Sequence, residues 1–145
     1  MQIRKLAAAE IAVSLRLAWA VFEESEAPDC SAEGIRTFRA FIRSEQLLED
    51  CSFYGAYDGR ELAGMIAVRD NHTHIALFFV PKQRQRQGVG RSLFAAVLMQ
   101  CAAGTIAVNA SRCAIGAYRK LGFTVTGSEQ TVRGIRFTPM RYSCP

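Results

Sequence analysis

The chain has 145 residues, half of them hydrophobic and 21% charged, with a formal net charge of +5 at pH 7. This length suits one domain with a core of its own, and this composition excludes an intrinsically disordered chain. No apolar run approaches the ~20 residues that a membrane-spanning helix needs, and the N-terminal residues show no signal-peptide pattern.

The first part of the chain predicts one strand followed by two helices. Residues 2–6 are strand-like. Apolar residues then recur every three or four positions from Ile11 to Phe22, which is the spacing of an amphipathic helix. An acidic segment at residues 23–29 interrupts this pattern. Ser31, directly after it, is a suitable N-cap for a second helix.

Further along the chain the apolar period changes to that of strands. Residues 53–57 and 62–69 form two predicted strands, and the Asp58-Gly59 dipeptide between them is a strong signal for a two-residue hairpin turn. Residues 74–80 are almost wholly apolar, without the polar alternation of a half-exposed strand. Such a strand is covered on both faces, so we expect it at the centre of the sheet.

The second half predicts two more helices and three strands. The glycine-rich turn at residues 87–90 opens a helix, residues 105–108 form a strand, and Ser111 caps a helix that ends at Gly122. The remaining strands are residues 123–127 and 135–142. The order βααβββαβαββ predicts a single α/β domain over the whole chain, with a mixed central β-sheet flanked by about four helices.

The two halves of the chain differ in charge. Residues 1–81 carry eight basic and twelve acidic side chains, whereas residues 82–145 carry ten basic side chains and one acid, Glu129. Such an asymmetry predicts a polyanionic partner for the basic half. A nucleic acid, a membrane surface and a phosphorylated cofactor all satisfy this condition.

The five cysteines are scattered along the chain and form no C-x-x-C pair. This pattern is typical of free thiols in a reducing compartment and argues against a disulfide framework or a zinc site. We therefore expect a cytoplasmic protein without a bound metal. The cysteines are expected to be buried apolar thiols, with one nucleophilic cysteine as the alternative.

The segment after the apolar strand is the most informative in the chain. A strand that leads through a glycine-containing turn into a helix leaves main-chain N–H groups unpaired at the positive end of the helix dipole, where anions bind. Gly88 and Gly90 lack a Cβ, so phosphate oxygens can approach the main chain closely. The basic side chains around the turn, without an acid nearby in sequence, are Lys82, Arg84, Arg86 and Arg91. A diphosphate fits this turn, and a tight turn with a solvated basic rim is the alternative.

Two other phosphate-binding motifs fit the same segment less well. The dinucleotide motif G-x-G-x-x-G would need a third glycine where the chain has Leu93. A Walker loop is excluded because no Gly-Lys-Ser or Gly-Lys-Thr follows the turn.

This turn resembles the R/Q-x-x-G-x-G/A motif of the GNAT N-acetyltransferases, and it stands in the same strand–turn–helix context. In that family the turn holds the pyrophosphate of coenzyme A, and the end of the preceding strand pairs with the pantetheine. The resemblance therefore implies acetyl-coenzyme A as co-substrate, with Phe79 and Val80 on the pantetheine. The implied pyrophosphate ligands are Gln85, Arg86, Gln87, Gly88, Val89, Gly90, Arg91 and Ser92.

A second segment is similar to another part of the family pattern. Its sequence is Val108-Asn109-Ala110-Ser111 and then Tyr118-Arg119-Lys120-Leu121-Gly122-Phe123, which resembles V-N-x-S followed by Y-x-K-L-G-F. The resemblance implies that Asn109 and Ser111 contact coenzyme A and that Tyr118 lies beside its sulfur. Arg112 and Gly116 depart from the residues common at their positions, and neither touches the implied chemistry.

The resemblance implies an N-acetyltransferase in which a primary amine attacks the thioester directly within a ternary complex. The departing thiolate needs a proton, and Tyr118 is the expected donor. A main-chain N–H near Phe79 or Val80 is the expected partner of the oxyanion. Two residues are candidate bases for the acceptor ammonium, His74 at the start of the apolar strand and Glu26 in the acidic segment.

The acceptor is expected to be a small molecule rather than a protein, because the chain is short and carries no extra recognition module. The acidic segment would attract a cationic amine, and a solvated helix end is the alternative for it. We expect neither nucleic acid nor membrane as a partner, since aromatic residues for base stacking are sparse around the basic turn. A homodimer is compatible with the sequence. A non-catalytic acyl-coenzyme A sensor of the same fold is the alternative function.

Overall fold

The computed structural model describes residues 1–144 and contains one mixed β-sheet with helices on both faces. The helices are α1 (Ala8–Ser25), α2 (Ala32–Ile42), α3 (Glu45–Asp50), α4 (Val89–Gln100) and α5 (Ile115–Leu121). The strands are β1 (Gln2–Lys5), β2 (Ser52–Asp58), β3 (Glu61–Arg69), β4 (His74–Phe79), β5 (Thr105–Ala110), β6 (Thr124–Val125), β7 (Gln130–Val132) and β8 (Ile135–Ser143). Within the described chain, no helix combines the length and the apolar character needed to cross a bilayer.

The sheet has the strand order β1-β2-β3-β4-β5-β8-β6, and β7 pairs with β8 outside this path. All neighbours are antiparallel except β4 and β5, which run parallel. The apolar strand β4 has three strands on either side in this path. The expected central position of that strand is therefore confirmed.

Each face of the sheet has its own hydrophobic core. Under α4 and α5 the buried residues include Leu93 and Val97, whereas under α1, α2 and α3 they include Phe22 and Leu47. Because β4 lies between these layers, its side chains enter both cores, which is why its sequence shows no polar alternation.

Serine side chains begin the second and third helices. The Ser31 hydroxyl accepts a hydrogen bond from the Gly34 N–H at 3.0 Å, so α2 starts where its N-cap predicts. The Ser44 hydroxyl accepts likewise from the Leu47 N–H at 3.2 Å. This second cap opens α3, a fifth helix absent from the predicted order, which is too short for its apolar period to show.

Two predicted boundaries are wrong by a few residues. Asp58 still pairs with Glu61, so the hairpin turn consists of Gly59 and Arg60, with Gly59 in the left-handed region at φ 62°. Ser111 caps no α-helix, because its hydroxyl lies 3.4 Å from the Cys113 Sγ and a short 3₁₀ turn separates it from α5.

Candidate active site

The central strands β4 and β5 run side by side only where the N-terminal end of β4 meets the middle of β5. Their parallel pairing is confined to His74 with Ala107 and Ile75 with Val108. Beyond these pairs β4 stays bonded to β3, and β5 to β8, but the two strands no longer pair with each other. The sheet therefore has an internal opening, bordered by the main-chain polar groups of two strands.

A β-bulge lies where this opening begins. Ala67 and Val68 of β3 pair with Leu77 and Ile75, which leaves Ala76 as the extra residue of β4. Since side chains alternate along a strand, one extra residue reverses the faces of those that follow. Ile75 accordingly packs under α4 and α5, whereas Leu77 packs under α1 to α3. The opening thus starts earlier in β4 than the position near Phe79 and Val80 expected for the oxyanion donor.

The turn between β4 and α4 presents a run of unpaired main-chain N–H groups. Gly88 is the N-cap of α4, in the left-handed region at φ 83°, and Arg86 is left-handed too at φ 64°. The first helical hydrogen bond runs from the Ser92 N–H to the Gly88 carbonyl at 3.0 Å. Within residues 1–144, no N–H from residues 86–91 donates to a protein acceptor. Six consecutive donors at a helix N-terminus form a cradle suited to an anion.

Two glutamine side chains form hydrogen bonds to main-chain carbonyls beside this cradle. The Gln85 amide donates to the Val80 carbonyl at 3.0 Å, and the Gln87 amide donates to the Gln83 carbonyl at 3.1 Å. These bonds hold the turn against the end of β4. One lone pair of the Val80 carbonyl is therefore already occupied.

Arg84 is not free to bind a phosphate, although its neighbours in sequence include no acid. Its guanidinium contacts Asp58 at 2.8 Å and Glu61 at 2.9 Å, both from the β2–β3 hairpin. In the described chain, Lys82, Arg86 and Arg91 form no salt bridge and remain exposed around the turn. The available positive charge is therefore smaller than the sequence predicts.

The opening leads into a cleft of about 790 Å³ that is bordered by residues from both halves of the chain. Three predicted catalytic residues line it together: Glu26 from the end of α1, His74 from β4 and Tyr118 from α5. Asn109, Ser111 and Phe79 also line the cleft, whereas residues 85–92 form the separate cradle beyond the end of β4.

Tyr118 is held by aromatic packing and is only 8% exposed. Its ring packs edge-on against Phe78 and Phe123, with centroids 6.0 and 5.2 Å away. Burial, and then the charge of Glu26, hold the pKa of Tyr118 well above its ordinary value of 10.0. The phenol is thus a neutral O–H donor at physiological pH, and no hydrogen bond to it exists within residues 1–144.

The two candidate bases are perturbed in opposite directions. Burial raises the pKa of Glu26 above its ordinary value of 4.5, and the nearby Ser111 hydroxyl opposes this shift in part. Burial, and then the charge of Arg69, lower the pKa of His74 below 6.5, with Asp70 acting the other way. Burial thus makes Glu26 a stronger base than an exposed carboxylate, and it keeps the His74 imidazole neutral at pH 7.

The β7–β8 hairpin forms a roof over the cleft that sequence reasoning did not assign. The Thr37 hydroxyl of α2 donates to the Arg133 carbonyl at 2.6 Å. Gly134, left-handed at φ 82°, lies so close to Gly34 that a Cβ on Gly34 would overlap its carbonyl. Gly134 suits the left-handed position of this turn, but Arg133 is not a residue that signals one, and the contact of the turn with α2 has no local signal.

The cysteines do not behave uniformly as buried thiols. All five are free, Cys101 is buried, and Cys113 and Cys144 are exposed. Burial raises the pKa of the Cys30 thiol, and the Glu26 carboxylate adds to this, which argues against Cys30 as an activated nucleophile. Among residues 1–144, no group of three or more potential ligands is arranged to hold a metal ion.

Residues 26–144 match the model of the acetyltransferase (GNAT) domain family. The fold is shared with solved structures at low sequence identity. A GCN5-related N-acetyltransferase from Rhodopseudomonas palustris aligns with a TM-score of 0.82 and 20% identity, over 98% of this chain and 94% of that chain. The PaiA N-acetyltransferase from Thermoplasma acidophilum, in complex with coenzyme A, gives 0.78 and 20% over 98% of both chains. YjaB from Escherichia coli, in its apo form, gives 0.76 and 22% over 99% of this chain and 98% of that chain.

Proposed function

The chain belongs to the GNAT family of acetyltransferases, and from this premise we propose that it transfers the acetyl group of acetyl-coenzyme A directly to a primary amine held in the cleft. One observation carries the proposal: the turn after β4 presents unpaired N–H groups at the start of α4, and the same strand borders the opening to the cleft that Tyr118 lines. A long cofactor with phosphates at one end and a thioester at the other has the matching shape.

The cradle binds the pyrophosphate of coenzyme A through the N–H groups of residues 86–91. Their number, their lack of protein acceptors and their place at the start of α4 support this assignment. Gly88 supplies the left-handed φ that turns these donors in one direction. The pantetheine lies along the open edge of β4, where Phe79 and Val80 border it, and Asn109 and Ser111 contact it from the β5 side.

The reaction forms one bond and breaks one. The neutral amine nitrogen attacks the thioester carbonyl carbon and a C–N bond forms. The C–S bond then breaks to release the coenzyme A thiolate, and the surplus proton of the nitrogen replaces the one that the thiolate takes from Tyr118. Holding both reactants in attack geometry contributes up to ~7–11 kcal/mol. The developing oxyanion is stabilised by a main-chain N–H at the Ala76 bulge, where β4 has lost its partner strand.

Tyr118 gives its proton to the departing thiolate. The reference pKa of a phenol is about 10 and that of a thiol about 8.5, and burial moves the pKa of Tyr118 further above that of the thiol, so the hydroxyl first donates a hydrogen bond to the sulfur and transfers its proton as the C–S bond breaks. The raised pKa of Tyr118 keeps the hydroxyl protonated until the thiolate forms. Asn109 and Ser111 keep the cofactor in register with this donor.

Glu26 removes the proton of the acceptor ammonium, with His74 as the second candidate. Two observations favour Glu26. Burial raises the pKa of its carboxyl, which makes it a stronger base, and its charge raises the pKa of Tyr118, which places it near the proposed acid. His74 pairs across the sheet with Arg69, whose charge disfavours an imidazolium and so weakens His74 as a base.

The acceptor is a small molecule, and the protein acts in the cytoplasm without nucleic acid or membrane as a partner. A roofed cleft of about 790 Å³ has the size of small-ligand sites and supports the first point. Free cysteines support a reducing compartment. A homodimer stays a prediction, which size-exclusion chromatography with light scattering would test.

The test combines binding with turnover. Isothermal titration calorimetry with coenzyme A is expected to show binding that weakens in Arg86→Gln. Thiol release from acetyl-coenzyme A is expected with at least one amine from a panel of polyamines, amino acids and aminoglycosides. Tight coenzyme A binding without any amine-dependent thiol release would favour the non-catalytic sensor. Absence of coenzyme A binding would refute both functions.

A further inference from the structure

The walls of the cleft are richer in arginine than in acid. Its acidic lining residues are Glu26 and Asp29 alone, whereas Glu23 and Glu24 of the acidic segment are exposed and lie outside it. The arginines that line it are Arg36, Arg69, Arg112, Arg133 and Arg136. An acceptor with only positive charge would meet more repulsion than attraction here.

Two of these arginines are already paired. Arg112 makes a bidentate contact with Glu129 at 2.6 and 2.8 Å. Arg69 lies 3.8 Å from the Asp70 carboxylate. Within the described chain, Arg36, Arg133 and Arg136 have no carboxylate within the 4.0 Å of a salt bridge. Three cations outside any salt bridge in the described chain therefore line one cleft, although the charge of Glu129 reaches Arg136.

Arg136 is the best oriented of the three. It is half-buried on β8, and its guanidinium donates to the Asp29 carbonyl at 2.6 Å, which fixes the side chain while leaving its other N–H groups free. A guanidinium held in this way can form two parallel hydrogen bonds with a planar carboxylate. The roof contacts join the hairpin that carries Arg133 to the helix that carries Arg36, and both residues line the cleft.

The same cleft offers apolar surface and an acid beside these cations. Phe38 is half-buried and offers apolar surface in the cleft, and it is backed by the buried rings of Phe22, with centroids 3.9 Å apart, and Phe79, edge-on at 5.9 Å. The charges of Glu26 and Arg136 both reach the Cys30 thiol, in opposite senses. An acid that suits an ammonium and a guanidinium that suits an anion thus share this part of the cleft, because Arg136 donates to the carbonyl of Asp29, three residues after Glu26.

We propose that the acceptor is a primary amine that also carries a carboxylate and an apolar body, with Arg136 as the main carboxylate anchor and Arg36 and Arg133 beside it. The proposal rests on the acetyltransfer proposed above and narrows its substrate class. The carboxylate binds Arg136, the apolar body packs on the phenylalanines, and the ammonium faces Glu26. This arrangement adds a carboxylate to the cationic amine expected from the acidic segment.

The first experiment measures the anion subsite without turnover. The probe is 3-phenylpropanoate, titrated by calorimetry into protein saturated with coenzyme A. A hydrogen-bonded charge pair predicts that Arg136→Gln weakens binding by about tenfold or more, and Arg36→Gln by less. Arg141→Gln, an exposed arginine on the same strand and outside the cleft, is the matched control and should bind like the wild type. No binding, or equal binding by wild type and Arg136→Gln, would overturn the proposal.

The second experiment measures turnover with amines that differ only by a carboxylate. The pairs are L-phenylalanine with 2-phenylethylamine, and 6-aminohexanoate with pentylamine. We expect the carboxylated member of at least one pair to have the higher kcat/KM, and Arg136→Gln to remove that preference through KM. A preference for the decarboxylated members would refute this acceptor class while leaving acetyltransfer intact. Conversely, 3-phenylpropanoate could bind in an Arg136-dependent way while no amine causes thiol release from acetyl-coenzyme A. That result would support the anion subsite and refute the proposed enzymatic activity.

Arg136→Gln also removes the hydrogen bond to the Asp29 carbonyl, one of the contacts that hold the β7–β8 hairpin over the cleft. The thermal unfolding of each variant is therefore measured, to show that its fold is intact. Arg36→Gln is an independent test, because the Arg36 side chain is exposed and forms no hydrogen bond within residues 1–144, while the roof contact to α2 is made by Thr37.

Discussion

Replacing Tyr118 by phenylalanine removes one hydroxyl from the cleft and keeps the ring. The ring packing against Phe78 and Phe123 is retained, and no protein hydrogen bond is lost within residues 1–144. The free energy of unfolding should therefore change by less than about 1 kcal/mol. Loss of a general acid lowers kcat by roughly 10²-fold, which corresponds to about 2.7 kcal/mol of transition-state stabilisation.

Stopped-flow or continuous thiol assays with saturating acetyl-coenzyme A measure this kcat, and calorimetry measures coenzyme A affinity, which should be unchanged. Tyr142→Phe is the matched control, because Tyr142 packs on the same Phe123 ring but does not line the cleft. Since the pKa of Tyr118 lies above its ordinary 10.0, the wild type should show no loss of kcat from phenol ionisation below pH 10. An unchanged kcat in Tyr118→Phe, with the fold intact, would refute the assignment of Tyr118 as the acid.

Three further changes test other parts of the site. Gly88→Ala places a Cβ on a residue at φ 83° and should lower the free energy of unfolding by about 1–2 kcal/mol and weaken coenzyme A binding. Gly116→Ala in α5, with open space around the new Cβ, should raise the free energy of unfolding by about 0.5–1 kcal/mol. Thermal unfolding measures both changes. Glu26→Gln should abolish the acidic limb of kcat/KM, which in the wild type falls as pH drops through a carboxyl pKa raised above 4.5. Arg84→Gln should leave coenzyme A affinity unchanged, because Arg84 is engaged by the β2–β3 hairpin, whereas Arg86→Gln should lower it in calorimetry.

Opposite results would each remove one argument. Equal stability of the two glycine variants would contradict the strain at Gly88. An acidic limb that persists in Glu26→Gln but disappears in His74→Gln would move the base to His74, with an inflection below 6.5. A loss of affinity in Arg84→Gln equal to that in Arg86→Gln would show that the salt bridges of Arg84 do not keep it from the phosphates.

The cradle was predictable because its determinants are consecutive in the chain. An apolar strand, two glycines and a following helix specify both the left-handed Gly88 and the unpaired N–H groups, whatever the rest of the protein does. The Ser31 cap and the Gly122 helix end follow from local chemistry in the same way. Their hydrogen bonds join residues only a few positions apart.

The bulge at Ala76 and the separation of β4 from β5 had no such signal. Both depend on how β3, β4 and β5 share their hydrogen bonds: the bulge on the register of β3 against β4, and the opening on β5, whose residues 105–110 are distant from β4 in sequence. The missed helix α3 is a different case: its Ser44 cap was readable, but six residues are too few to show an apolar period.

The sequence by itself determined the class of fold, the family resemblance and the position of the anion-binding turn, because each of these rests on short-range backbone geometry and apolar periodicity. Only the tertiary structure decided which charges remain available. Arg84 is paired by a hairpin 23 or more residues before it, whereas Arg136 is brought over the cleft to a carbonyl 107 positions away. Electrostatic interactions depend on distance in space, and the charge that an acceptor meets is therefore set by folding and not by the order of residues.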